Sequence, residues 1–200
     1  PVSSTGFRIA HNNPDELMPF ESAKERLSET SGLGLGISLL EGVKVDVETH
    51  TGYLWCLDFD GFAEPNSDKV DDGVLSFVES FPSYIEISPS GTGFKYFFVC
   101  DRPPQSKSKI KFGPSGFSEK YPNITKYAHR EIEVFSRSFF LALTGQVFSP
   151  STAEIKFVSS HELGAILEEL NRWAESTGGS GTKASSNATQ KSISTTPNTS

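Results

Sequence analysis

Two aspartates at the end of an apolar segment are the side chains of this sequence best placed to do chemistry. Asp58 and Asp60 close the segment 54–61, which lies between Gly52 and Gly61. Its length, aromatic content and flanking glycines predict a β-strand. Alternate residues of a strand share a face, so the two carboxylates should lie side by side, with Cα atoms about 6.5 Å apart. Because unpaired buried charges are costly, we expect the fold to offer them water, cations or a metal.

A third carboxylate is expected from a second acidic strand. The segment 130–135 alternates acidic and apolar residues, which places Glu131 and Glu133 on one face. Two divalent ions about 4 Å apart need oxygen ligands that converge from different strands, and Glu133 is the best candidate to join Asp58 and Asp60. The structural alternative is a turn at Asp-x-Asp-Gly and a solvated acidic strand face.

A loop rich in glycine and hydroxyl groups has the composition of a phosphate site. Residues 88–95 read Ser-Pro-Ser-Gly-Thr-Gly-Phe-Lys between two predicted strands. Backbone N–H groups at glycines, serine hydroxyls and a lysine are suitable ligands for a phosphate chain. The loop is not of the Walker type, because it lacks GxxxxGK and no helix follows it. The alternative is an ordinary β-hairpin with glycines at the positive-φ positions.

Three lysines at alternate positions form a second basic feature. Lys107, Lys109 and Lys111 would share one face of an extended segment. Such a stripe is typical of a solvated edge strand that resists aggregation, and equally of a surface that contacts DNA phosphates. The sequence leaves both interpretations open.

The periodicity of the remaining chain predicts an α+β domain, a mixed or antiparallel sheet with helices packed against it. We expect helices at about 20–30, after Ser67 or Asp68, and from Ser159 or Ser160. Residues 112–128 are predicted to be a loop, and residues 139–143 to be the neighbouring strand of 130–135. Further strands are predicted at 37–40, 84–87, 94–100 and 154–158.

Composition restricts the classes of function. The 200 residues carry a formal net charge of −7, which argues against a broad surface that coats nucleic acid. The two cysteines form no CxxC pair, so we expect no structural zinc and a reducing compartment. We expect no membrane segment or secretion signal. The composition predicts one domain over 1–175 and a disordered Ser/Thr/Gly-rich linker or tail over 176–200.

The order of the motifs resembles that of a known superfamily. The segments 57–60, 84–93, 132–135 and 143–145 resemble the archaeo-eukaryotic primases, and more narrowly the primase-polymerase domains of phage and plasmid replication proteins. The resemblance covers about residues 20–145. It implies an archaeo-eukaryotic primase fold with an RRM-like catalytic core, and a DNA primase or polymerase that transfers nucleotides from dNTPs or NTPs to a 3′-hydroxyl.

The resemblance also implies roles for individual residues. Asp58, Asp60 and Glu133 would be catalytic and would hold two Mg²⁺ or Mn²⁺ ions. The incoming nucleotide would be bound by Ser88, Ser90, Gly91, Gly93, Lys95 and Arg137. Contacts to DNA would come from Lys107, Lys109 and Lys111.

Three positions depart from the superfamily pattern. Lys95 stands where a histidine normally closes the middle motif, which keeps a cation but loses a group that titrates near neutral pH. Phe135 replaces a tyrosine and so removes a hydroxyl. An arginine that often follows the third acid falls on Phe139, and Arg137 is close enough to substitute for it.

The expected partners are a single-stranded DNA template, a primer strand and dNTP or NTP, in the cytoplasm of a bacterium or of a phage-infected cell. Because the chain lacks an initiator methionine, we expect it to be a piece of a longer protein in which the tail leads to a helicase domain. Two alternatives stay open: a metal-dependent nuclease that uses the same acids, and a non-catalytic module that binds nucleic acid or a replication partner.

Overall fold

The computed structural model describes residues 17–29, 34–65, 67 and 69–180, which form a mixed α+β fold of mostly antiparallel sheets. The helices are α1 Phe20–Glu29, α2 Asp72–Ser80, α3 Thr125–Ala128 and α4 Ser160–Ser176. The strands are β1 Leu35–Ser38, β2 Lys44–Val47, β3 His50–Asp60, β4 Tyr84–Ile87, β5 Gly93–Cys100, β6 Ser108–Lys111, β7 Glu131–Phe135, β8 Phe140–Leu143 and β9 Lys156–Val158.

A seven-stranded sheet built around β3 positions the candidate site. Its central order is β4-β5-β3-β7-β6, and these neighbours are all antiparallel. Strand β3 is long enough to pair with β2 over residues 50–53 and with β7 over residues 56–60 along the same edge. Strand β9 adds the one parallel pairing, to the end of β5. The segment that carries the two aspartates therefore lies at the centre of the sheet.

The main hydrophobic core lies between one face of this sheet and helices α2 and α4. Strand β3 contributes Trp55, Leu57 and Phe59 to it, and each of these side chains is buried. The helices contribute apolar stripes at the predicted spacing, among them Phe77 of α2 and Leu170 of α4. This packing holds β3 in place from behind, because alternate residues of the strand project into the core.

The helix predictions are confirmed except for the start of α2. Helix α4 begins where expected, with a reciprocal capping box between Ser159 and Glu162. Helix α2 begins at Asp72, and its cap is Asp71, whose carboxylate accepts from Gly73 N at 3.0 Å. Ser67, one predicted cap, lies before this helix, in the loop between bridge partners Ala63 and Val70. The other, Asp68, falls outside the described residues.

The predicted pairing of residues 139–143 is wrong. Strand β8 pairs with β1 in a separate two-stranded sheet, with Ile37 opposite Leu141. The chain turns away from β7 at Ser138, which has a positive φ of 56° and donates its backbone N–H to Leu40 O. The predicted strand 37–40 is accordingly β1, two residues earlier than expected. This small sheet and a second apolar cluster lie over the other face of β3.

Two further segments differ in detail from the sequence prediction. The loop predicted at 112–128 contains the single turn α3, whose Tyr127 is buried and donates to Ala63 O at 2.6 Å. The described residues after 175 still form hydrogen bonds with the domain. The backbones of Ser180 and Lys111 exchange two hydrogen bonds, and Thr177 Oγ1 accepts from Gly113 N at 3.0 Å. Residues 181–200, the rest of the predicted tail, lie outside the described residues.

None of the helices in the described part of the chain is both long and apolar enough to cross a membrane.

Candidate active site

The register of five neighbouring strands places five charged residues in one row. Asp58 of β3 lies between Lys95 of β5 and Glu133 of β7, and the row continues to Glu86 of β4 and Lys109 of β6. Directly paired residues of a sheet project from the same face. We call these five residues the charged row. It lies on the face of β3 opposite the main core.

The centre of the charged row is a buried ion pair. Lys95 Nζ lies 2.8 Å from Asp58 Oδ2, and the two residues are 7% and 9% exposed. Burial lowers the pKa of the Lys95 amine, but the adjacent Asp58 carboxylate outweighs this effect and holds that pKa above its usual value. Burial raises the pKa of Asp58 more than Lys95 lowers it. Lys95 is therefore a firmly charged ammonium against a carboxylate that water barely reaches.

The other two predicted metal ligands also carry lysine partners. Glu133 accepts from Lys107 at 3.0 Å and from Lys109 at 2.9 Å, while Lys109 also contacts Glu131 at 2.5 Å. Asp60, two residues after Asp58 on β3, contacts Lys126. Burial raises the pKa of Glu133, but the two lysine hydrogen bonds outweigh it and lower that pKa below its usual value. All three acids are thus accompanied by ammonium groups.

One carboxylate oxygen is left without a partner. Asp58 Oδ1 is buried and accepts no hydrogen bond in the structure. Over the described residues, the structure contains no group of three or more His, Cys, Asp or Glu side chains arranged to hold a metal ion. Asp58 and Glu133 are direct register partners, and each contacts a lysine on its outer side, Lys95 for Asp58 and Lys109 for Glu133.

The glycine loop joins β4 to β5 beside Asp60 and presents a chain of hydroxyl groups. Ser90 Oγ lies 3.0 Å from Ser88 Oγ and 2.8 Å from Thr92 Oγ1. Gly91 has φ +68°, and its N–H donates to Ser88 O, which closes the turn. The loop is a hairpin connection, as the structural interpretation predicts, and it also carries the hydroxyl groups that the phosphate interpretation requires.

Close backbone contacts fix the loop to the end of the aspartate strand. Thr92 O accepts from the N–H groups of Gly61, Phe62 and Ala63 at 3.0–3.1 Å. Gly93 lies directly opposite Asp60 on the neighbouring strand. A Cβ at Gly93 would collide with the backbone oxygen of Phe59. A residue without a side chain is therefore required where the loop meets the two aspartates.

Glu86 is a site residue that the sequence analysis did not single out. Its carboxylate is 1% exposed and accepts from Thr144 N at 3.2 Å, from Gly145 N at 3.0 Å and from Tyr84 O–H at 3.2 Å. It thereby ties the Thr144-Gly145 segment to the charged row. An acidic residue on an otherwise apolar strand was the available signal. Lys126 was also missed, and its distance of 66 residues from Asp60 left no local signal.

The remaining predicted residues divide between the row and its surroundings. Lys107 and Lys109 contact the acids, whereas Lys111 is exposed near the edge where Ser180 adds a backbone bridge. Arg137 donates to Ser106 Oγ at 3.3 Å and approaches Glu41, so its observed contacts lie outside the charged row. Phe135 is fully buried in the second apolar cluster.

A cavity of about 550 Å³ opens beside the charged row on the same face of the sheet. Glu86, Tyr84 and Phe97 contribute to its floor, and Thr144 and Gly145 line it as well. The remaining lining residues are mainly apolar. The hydroxyl-bearing loop and this cavity thus lie on opposite sides of the β4 and β5 part of the row, the loop toward Asp60 and the cavity toward Leu54.

No model of a known protein family matches the sequence, and a search of curated proteins finds no significant match. The site must therefore be interpreted from its own geometry.

Proposed function

We propose that this domain is a primase-polymerase of the archaeo-eukaryotic primase type, which transfers nucleotides from dNTP or NTP to a 3′-hydroxyl on a DNA template. The observation that carries the proposal is the charged row. Three motifs that are far apart in the sequence meet on neighbouring strands, with Lys95, Asp58 and Glu133 as direct register partners. The superfamily fold, with its RRM-like core, belongs to the same proposal.

The acids of the row suit Mg²⁺ or Mn²⁺. Such ions prefer carboxylate oxygens, and Asp58 Oδ1 is buried without a partner. Asp58, Asp60 and Glu133 would hold the metal, after the exposed lysine ends on Asp60 and Glu133 move into water. When bound, divalent ions lower the pKa of an attacking hydroxyl and stabilise the pyrophosphate leaving group.

The surrounding residues have complementary roles in this proposal. The hydroxyls of Ser88, Ser90 and Thr92 would donate to phosphate oxygens of the incoming nucleotide beside Asp60. The adjoining cavity of about 550 Å³ lies in the range of small-molecule sites, about 300–1,000 Å³, and would receive the rest of the nucleotide. Lys107 and Lys109, once released from Glu133, would contact the phosphates of the template or primer.

A template-dependent extension assay tests the proposal directly. Purified protein is given Mn²⁺ or Mg²⁺, all four dNTPs or NTPs and a single-stranded template, with and without a primer. We expect template-directed products in the wild type and at least a hundredfold loss of incorporation in Asp58→Asn and Glu133→Gln. Asp46→Asn is the matched control, because Asp46 lies on β2 opposite Thr51, seven residues along β3 from Asp58. Full activity in Asp58→Asn would contradict the proposal.

A second candidate is a non-catalytic module that binds nucleotide or DNA without a metal. It is favoured by the lysine partners, since Lys95, Lys107, Lys109 and Lys126 already neutralise the acids. Thermal melting with Mn²⁺ and dideoxynucleotide, separately and together, distinguishes the two. A metal site should raise the melting temperature through linkage, while the module should respond to nucleotide or DNA alone.

The third possibility is a metal-dependent nuclease that uses the same acids. Labelled DNA incubated with the protein and Mn²⁺ would then be cleaved without consumption of nucleotide.

A further inference from the structure

We propose that the Lys95 ammonium takes the place of one of two metal ions, so that this site binds a single divalent ion. The inference rests on the proposed function, because it assumes that Asp58, Asp60 and Glu133 bind metal. It concerns the residue at which the sequence departs from the superfamily pattern. Lys95 Nζ contacts Asp58 Oδ2, which leaves only Oδ1 of that carboxylate free for an ion.

The four lysines beside the acids differ in their access to water. The side chains of Lys107, Lys109 and Lys126 are 36%, 40% and 45% exposed, whereas the side chain of Lys95 is only 9% exposed. The ammonium of an exposed lysine can leave its carboxylate and become hydrated at little cost. An incoming ion would therefore displace the three exposed lysines and leave Lys95 in position.

Lys95 contacts Asp58 rather than the second acid beside it. Its register neighbour on the far side is Glu86, whose two oxygens already accept hydrogen bonds from Thr144, Gly145 and Tyr84. Separating Lys95 from Asp58 would leave two buried charges without partners, which is strongly unfavourable. The ion pair is thus a permanent part of the site.

The fixed ammonium also weighs against a second ion. Lys95 already neutralises one of the charges of Asp58, Asp60 and Glu133, through its contact with Asp58. A second ion would lie close to the fixed ammonium and would be repelled by it in surroundings of low dielectric constant.

Counting bound Mn²⁺ tests this inference independently of any activity. Mn²⁺ alone is titrated into the full chain by calorimetry, and the bound ions are examined by electron paramagnetic resonance. We expect one ion per chain and an isolated Mn²⁺ spectrum in the wild type. Lys95→Met should bind two ions with a spin-coupled spectrum. Lys95→His, with a smaller and titratable side chain, is the second variant if Lys95→Met does not fold.

Lys126→Met is the matched control, because it removes a lysine from Asp60 at an exposed position and should keep the count at one. Two ions in the wild type, or one ion in every variant, would overturn the inference and leave metal binding intact. Absence of bound Mn²⁺ in the wild type and in every variant would overturn both this inference and the metal-dependent function, so the two failures are distinguishable.

Discussion

The two faces of β3 are stabilised by different forces. On one face Trp55, Leu57 and Phe59 pack into a continuous apolar core under helices α2 and α4. On the other face, Asp58 forms an ion pair with Lys95, and Asp60 forms one with Lys126. One strand, by simple alternation, thus separates an apolar layer from a layer in which ion pairs lie beside the second apolar cluster.

This difference suggests that the two faces have different roles, one structural and one in binding. The apolar face of β3 carries no charged side chain to exchange, so its geometry is fixed by close packing. Under the proposed function, the charged face would exchange lysines for a metal ion without moving the strands, because the partners of its acids are side-chain ends. The core therefore provides rigidity, and the opposite face provides the replaceable contacts that a binding site needs.

The largest effect is expected from opening the apolar face. Phe59→Ala removes a ring that is 2% exposed and packs against Phe62 and Phe77. We expect the free energy of unfolding to fall by about 4 kcal/mol, because a cavity is added to the lost burial. Urea unfolding followed by circular dichroism measures it. Val147→Ala, at a 46% exposed position, is the control and should change stability by less than about 0.5 kcal/mol.

Breaking the buried ion pair should have the next largest effect. Lys95→Met leaves the Asp58 carboxylate buried without its partner, and we expect a loss of about 3 kcal/mol in metal-free buffer. The double variant Lys95→Met/Asp58→Asn removes the uncompensated charge and should regain most of that loss. Urea unfolding of the four proteins of this cycle provides the comparison. A double variant whose loss equals the sum of the two single losses would show that the pair is not coupled.

The pH dependence of the charged face gives a smaller, directional effect. The folded-state pKa of Glu133 lies below its usual value, so its carboxylate favours folding above the unfolded pKa of about 4.3. That contribution is lost as the pH falls from about 4.3 through the folded pKa. Glu133→Gln should therefore be less stable than the wild type at pH 7, and the difference should shrink in acid. A difference that stays constant from pH 7 to pH 3 would contradict this assignment.

The smallest effect is expected at the exposed pair of Asp60 and Lys126. Lys126→Ala should change the free energy of unfolding by less than about 1 kcal/mol, because an exposed ion pair contributes little. The same variant should bind Mn²⁺ more tightly than the wild type if Asp60 is a metal ligand. Calorimetry measures both quantities on one preparation. Weaker Mn²⁺ binding would show that Lys126 does not compete with the ion.

Local patterns account for most of the secondary structure that the sequence predicted. Strand β4 lies at the predicted residues, β3 extends four residues before the predicted segment, and the cap of α4 is Ser159, one of the two predicted caps. Each of these depends on alternation, helical spacing or a short cap, all of which are properties of neighbouring residues. The cap of α2 was misplaced because Asp71 follows a loop closed by the Ala63 and Val70 bridge, a contact across seven residues.

For the fold, the clearest wrong prediction was that β8 would lie beside β7, whereas it pairs with β1. An apolar segment that closely follows a strand is commonly its neighbour, but the positive φ at Ser138 directs this one to a strand about a hundred residues earlier in the chain. For the site, the candidates were identified by residue type, by alternation along strands and by the order of the motifs. Their lysine partners were assigned to phosphates in the sequence analysis, whereas Lys95, Lys107 and Lys109 contact carboxylates in the structure.

By itself the sequence determined which residues share a face of the predicted strands, that helices form near α1, α2 and α4, and that acids, hydroxyls and lysines are concentrated in three motifs. These follow from backbone geometry and side-chain type, which act over a few residues. Only the tertiary structure decided that Asp58 lies between Lys95 and Glu133, that Asp60 meets Lys126, and that Asp58 Oδ1 has no partner. The reason is physical: strand register and ion pairing across 37 to 66 residues depend on how whole faces are buried.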